Sequence, residues 1–172
     1  VSIERLGDLV PRIDEAAWVH PDATLIGDVE VGPECSVWPQ AVLRADLGPI
    51  RIGAATSVQD GVVIHSGRVG VSIGARCIVG HLAFLEDATV EDACQVGVGS
   101  RVLNGARVGA GSVIAAGAVL VQALQVPPGS RVQGVPARVL PGGRPTREEI
   151  EAGAAHYAGQ ARRYAAEWER LT

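Results

Sequence analysis

Lysine and methionine are missing from this 172-residue chain, and aromatic residues make up only 3% of it, with a single phenylalanine. Large rings dominate the packing of most globular cores, so 47% hydrophobic content with so few of them points to another kind of interior. Narrow stacked coils lined by aliphatic and small residues, including many of the 22 glycines, are such an interior. With lysine absent, all 15 cationic side chains are arginine, which we read as genome composition bias rather than function. No basic run accompanies the net charge of −4, which argues against nucleic acid or an anionic membrane as partners. No uninterrupted apolar stretch reaches the ~18 residues of a membrane span, and no signal peptide is evident, so a cytoplasmic location is expected.

What the chain does contain is a period of six. Aliphatic residues stand at Val19, Leu25, Val31, Val37 and Leu43, then at Ile52, Val58 and Ile64, then at Ile73, Val79 and Leu85. Val90, Val96, Val102, Val108, Ile114 and Leu120 complete the series. Neither a helix nor an alternating strand has this period, which is the mark of a parallel β-solenoid. Cys35, Cys77 and Cys94 lack metal-type spacing, and each falls four residues after a repeat start, where Ala23, Ala41, Ala83, Ala106, Ser112 and Ala118 also sit. That position reads as a small, tightly packed slot, and the cysteines as buried structural residues.

Three segments follow. Residues 1–125 form the solenoid, with a lead-in over 1–18 in which Val1 to Val10 can supply a capping strand. Residues 126–145 are rich in Pro and Gly and read as a crossing linker. Residues 146–172 form a helix opened by a Thr146/Glu149 capping box. Its apolar stripe, Ile150, Ala154, Tyr157, Ala161, Tyr164, Trp168 and Leu171, suits either packing along a flat side of the solenoid or a subunit interface. Within the solenoid the register slips by three extra residues before Ile52, by three before Ile73, and by one missing residue before Val90. Insertions in repeat proteins map to loops on one face, often the functional one.

In the three-sided form of this architecture, residues three repeats apart are vertical neighbours, ~4.8 Å apart. Arg44, His65 and Glu86, each one residue past a repeat start, then form one column, which ends at Leu103. His81 lies two residues past its own start and one face away. It can meet that column where a neighbouring copy brings its edge alongside, which three-fold association achieves three times. Two imidazoles and a carboxylate make a sensible zinc set with a position left for water. A lone surface His with a solvated Glu is the competing reading, and spacing leaves both open. His20 and His156 lie outside the cluster.

The segments Ser36-Val-Trp-Pro-Gln-Ala-Val-Leu-Arg-Ala-Asp46 and Val58-Gln-Asp-Gly-Val-Val-Ile-His65, with Val79-Gly-His81 and Gly134-Val-Pro-Ala137, resemble the γ-class carbonic anhydrases. The resemblance implies a left-handed parallel β-helix with a C-terminal helix packed along it. It also implies a homotrimer with metal, usually zinc, between subunits, hydrating CO2 to bicarbonate. Carried over by position, His65 and His81 match the first two ligands, and Glu86 stands where the family has its third histidine. Arg44 and Asp46 match a pair linking subunits, and Asp60 an intersubunit polar neighbour. Gln59 matches a residue that hydrogen-bonds the metal-bound solvent or substrate, and Tyr157 a helix tyrosine near the site, with His156 in place of the usual Asn. Phe84 occupies the position where some relatives carry another His, and Leu47 replaces an acidic proton-transfer residue.

A Glu86 ligand lowers the formal charge of the site and is expected to move activity to higher pH. Two other readings accompany this one. In the first, the chain is an assembly or small-ligand-binding protein without anhydrase activity, with Glu86 paired to Arg44 or Arg68. In the second, it is a hexapeptide acyltransferase using one His as general base.

Overall fold

The computed structural model describes residues 2–141 and 145–171. Short parallel strands stack into a left-handed β-solenoid of about seven turns, and one helix runs along it. The six-residue period is realised as three inward ladders. Val19, Val37, Val58, Val79, Val96 and Ile114 lie in register on one face, and Val132 extends them. Leu25, Leu43, Ile64, Leu85, Val102 and Leu120 form the second ladder. The third holds Val31, Ile52, Ile73, Val90, Val108 and Val126. Every one of these side chains but Val19 is buried, because each coil is closed above and below by the next. Leu25, Leu43, Ile64 and Leu85 are at 0% exposure, the mutual cover that aliphatic stacking provides.

One corner of the prism differs from a plain small-residue slot. Cys35, Thr56, Cys77, Cys94, Ser112 and Ser130 stack there, and their thiols and hydroxyls serve the backbone. Thr56 Oγ1 donates to Gly74 O at 2.8 Å, Cys77 Sγ to Glu91 O at 3.1 Å and Ser112 Oγ to Pro127 O at 3.0 Å. Thr56 Oγ1 also accepts from Cys77 N at 3.0 Å, and Ser112 Oγ from Ser130 N at 3.1 Å. The buried turns therefore satisfy polar groups that the strand ladders leave over. Burial pushes the Cys35 thiol up to about 11, against opposing backbone hydrogen bonds. Cys77 is also raised, by its contact with Cys94 and by burial.

The solenoid is longer than the period alone suggests. Gln125–Val126 and Ser130–Gln133 are strands of its last coil, and Arg138–Pro141 pairs antiparallel with the latter. The expected 126–145 linker is thus largely β-structure. Val126 to Val132 is one more six-residue step, its corner turned by Pro127, Pro128 and Gly129. Residues 142–144 of that linker, and Val1 of the capping strand, lie outside the described residues. At the other end Ser2–Glu4 pairs with Thr24–Ile26, so a capping strand is present but shorter than Val1 to Val10.

The C-terminal helix, Arg147–Glu167, opens with the capping box on Thr146 and Glu149. It descends the face of the first ladder, from Arg76, which pairs with Glu151, to Trp18, which meets Tyr164 edge-on. Ile150, Ala154, Ala158 and Ala161 are buried against the coils. The helix stops at Glu167, so Trp168 and Leu171 are not on its stripe. Trp168 instead packs on His20 at 4.9 Å, and Arg170 holds Asp22 at 2.5 Å. Few as they are, the large rings gather here: Trp18, Trp38, Tyr157, Tyr164 and Trp168 form one seam between helix and solenoid. The flat-side alternative for the helix is the one observed.

Candidate metal centre on two edges

Arg44, His65 and Glu86 occupy one column in direct register, as the coil count requires. His65 Nδ1 lies 3.0 Å from Glu86 Oε1, and its Nε2 lies 3.2 Å from Asp46 Oδ1. The other oxygen of Asp46 pairs with the Arg44 guanidinium. Partial burial favours the neutral Asp46 carboxyl, but its own backbone N–H, Arg44 and His65 outweigh that and hold its pKa below the ordinary value. The result is a chain of alternating groups, Arg44–Asp46–His65–Glu86, along one edge.

The two insertions support that edge from beside it. The first is no separate loop: it bulges within the continuous Val42–Ile52 strand, where the register against Gly27 and Val29 shifts. The second, after His65, stacks upon it. Ser66 Oγ donates to Gly48 O and accepts from Gly48 N. Asp87, at the single missing residue, accepts the Gly70 N–H at 2.8 Å. Gly67 lies against Asp87 so closely that a Cβ there would stand 2.2 Å from its Oδ2. Ser66 and Asp87 escaped sequence reasoning, because their partners lie in insertions that the period does not describe.

The second edge carries Gln59, Asp60 and His81. Gln59 is buried, and its Oε1 accepts the His81 backbone N–H at 3.2 Å. Asp60 Oδ2 lies 2.9 Å from His81 Nδ1, each side chain 47% exposed. Asp60 and the Arg44–Asp46 pair thus find partners within their own chain. The corner next to His81 is turned by Leu82, whose positive φ of 60° leaves its side chain 68% exposed above Gly61. Tyr157 is set against Trp38, ring centroids 6.3 Å apart, within the helix seam. His20 is buried there too, and His156 meets Tyr157 edge-on on the helix.

The structure thus gathers the candidate residues into two groups and does not merge them. Among the described residues no three His, Cys, Asp or Glu side chains converge tightly enough to hold a metal ion. The donor chemistry nevertheless suits a divalent cation. Each imidazole turns Nδ1 to a carboxylate, the arrangement that orients metal-ligating histidines, and at His65 the second nitrogen faces Asp46 as well. The two histidines themselves lie on different edges.

A hexapeptide β-solenoid carrying carboxylate-held histidines on adjacent edges defines the class. The comparisons identify it further: the chain belongs to the γ-class carbonic anhydrase family of hexapeptide-repeat, left-handed β-helix proteins. It is 36% identical over 170 residues to the mitochondrial gamma carbonic anhydrase 1 of Arabidopsis thaliana, covering 93% of this chain and 61% of that protein. It thus spans about three-fifths of that plant relative. The carnitine operon protein CaiE of Escherichia coli is 32% identical over 133 residues, 77% of this chain and 68% of that one. Among solved structures, a hexapeptide transferase family protein from Anaplasma phagocytophilum superposes with a TM-score of 0.91 at 31% identity, over 95% of this chain and 98% of that one. No family model matches the chain. No helix of the structure, among the described residues, is long and apolar enough to cross a membrane.

Proposed function

We propose that the protein hydrates CO2 to bicarbonate at sites shared between the subunits of a homotrimer, with zinc as cofactor. Each site draws His65 from one subunit and His81 from the next. The observation that carries this reading is the division of the donors between two edges of one chain. The surface between those edges also lacks cover: Val63 is 37%, Leu82 68% and Val98 47% exposed. Apolar groups grouped about polar ones in this way suit burial against a second copy.

A divalent cation bound there would supply the Lewis acidity that lets water act as a nucleophile near neutral pH. The chain's own groups do the rest. Asp60 and Glu86 hold the imidazoles, Gln59 fixes the His81 backbone, and Arg44 keeps Asp46 anionic. Exposed Leu47 and Val69 offer apolar surface on the insertions beside His65, suited to an uncharged substrate. Tyr157, seated in the seam, acts through the helix position rather than by contact with His65.

Metal analysis after growth in zinc-supplemented medium, joined to stopped-flow CO2 hydration, tests the proposal. One zinc per interface and measurable hydration are expected, with both lost in His65→Ala and in His81→Ala. Assembly without metal or hydration would favour a binding protein instead. The likeness to a hexapeptide transferase keeps an acyl-transfer reading in play, with one of the histidines as general base. Turnover of acetyl-CoA by the native chain is its test.

A further inference from the structure

The two candidate histidines are held alike. Each turns Nδ1, the ring nitrogen next to its own Cβ, to a carboxylate one coil away. His65 finds Glu86 in the following coil at 3.0 Å, and His81 finds Asp60 in the preceding coil at 2.9 Å. Both placements are set by the backbone: Glu86 is the ladder partner of His65, and Leu82 N bonds Asp60 O beside His81. Nε2, at the tip of the ring, is the nitrogen that reaches furthest from the chain. A histidine that must meet a donor from another subunit does so best with that tip. At His65 the group facing the tip is Asp46, at 3.2 Å.

We propose that Glu86 is a positioning residue for His65, the counterpart of Asp60 for His81, and that Asp46 is the carboxylate that reaches the cation. The assignment rests on the metal-site reading above. It differs from that reading's simplest form, in which Glu86 takes the place of the missing third histidine. Ligating carboxylates are themselves hydrogen-bonded by neighbours. Asp46 meets that condition through Arg44, whereas among the described residues Glu86 has no partner other than His65. Arg44 also balances the charge of Asp46, so a carboxylate ligand there leaves the surroundings of the cation less negative than Glu86 would. One coil step thus serves both imidazoles: a carboxylate at the base of the ring and a free or oxygen-faced tip.

Cobalt(II) in place of zinc gives a readout independent of activity, since its visible bands follow the ligand set. Titration of the native chain should develop such bands. Glu86→Gln should keep their positions and intensities while metal affinity falls about ten- to a hundredfold. Asp46→Asn should shift them. Bands that move in Glu86→Gln, or stay in place in Asp46→Asn, overturn the assignment and leave the metal site standing. Failure of the native chain to take up cobalt overturns both. A second measurement needs no variant: in the zinc-loaded native chain, imidazole nitrogen NMR should show His65 and His81 as Nδ1–H tautomers. A His65 ring carrying its proton on Nε2 overturns the role given to Glu86.

Discussion

At the scale of single residues, His20 has a clear electrostatic consequence. It is buried with Trp18 and Trp168 against it, and its Nδ1 accepts the Asp22 N–H at 3.0 Å. Burial lowers its pKa from 6.5, partly opposed by the attraction of Asp22, while Arg170 adds to the lowering. On acidification the unfolded chain takes up a proton at 6.5 that the folded chain resists until lower pH. The contribution to stability is therefore complete above 6.5 and is lost as pH falls from there through the folded value. Melting temperature should drop as pH falls below 6.5, and His20→Gln should flatten that drop. An equal drop in the variant would assign the effect elsewhere. All three tryptophans lie in the same seam, so their fluorescence reports its opening directly.

At the scale of elements, the corner ladder shows how a buried turn is made tolerable. Thr56→Val keeps the volume but leaves Gly74 O and the Cys77 N–H without their hydroxyl partner. The cost should be roughly 1–3 kcal/mol by urea unfolding, because a buried group left unpaired loses its full solvation. A loss below about 0.5 kcal/mol, the usual range of a surface change, would show that the ladder does not bear on stability. The same elements show what was legible beforehand. Inward residues return every sixth position because each coil face needs one, so the ladders and the Arg44–His65–Glu86 column follow from counting. The final step from Val126 to Val132 was hidden because Pro127, Pro128 and Gly129 signal a linker as strongly as a corner. The contacts of Asp46, Ser66 and Asp87 were hidden for another reason. They arise where residues are inserted or deleted, and there the period carries no information about shape. Helical spacing likewise continued through Trp168, while the structure turns that ring back onto His20.

At the scale of the whole molecule, a solenoid is rigid along its axis, and residues on different edges of it do not converge. His65 and His81 are therefore held apart within one chain, and in the trimer proposed above a second chain unites them. This gives a test that depends on symmetry rather than on any single side chain. In that closed ring each interface would join the His65 edge of one subunit to the His81 edge of the next. Chains carrying His65→Ala or His81→Ala alone should bind no zinc at their interfaces. Co-expression of the two in equal amounts should restore metal to about one interface in four, since intact edges meet only where the His81→Ala chain supplies His65 and the His65→Ala chain supplies His81. Hydration activity should return in the same proportion. Recovery of neither metal nor activity in mixed assemblies, confirmed as mixed by mass spectrometry, would mean that the histidines do not act across the interface.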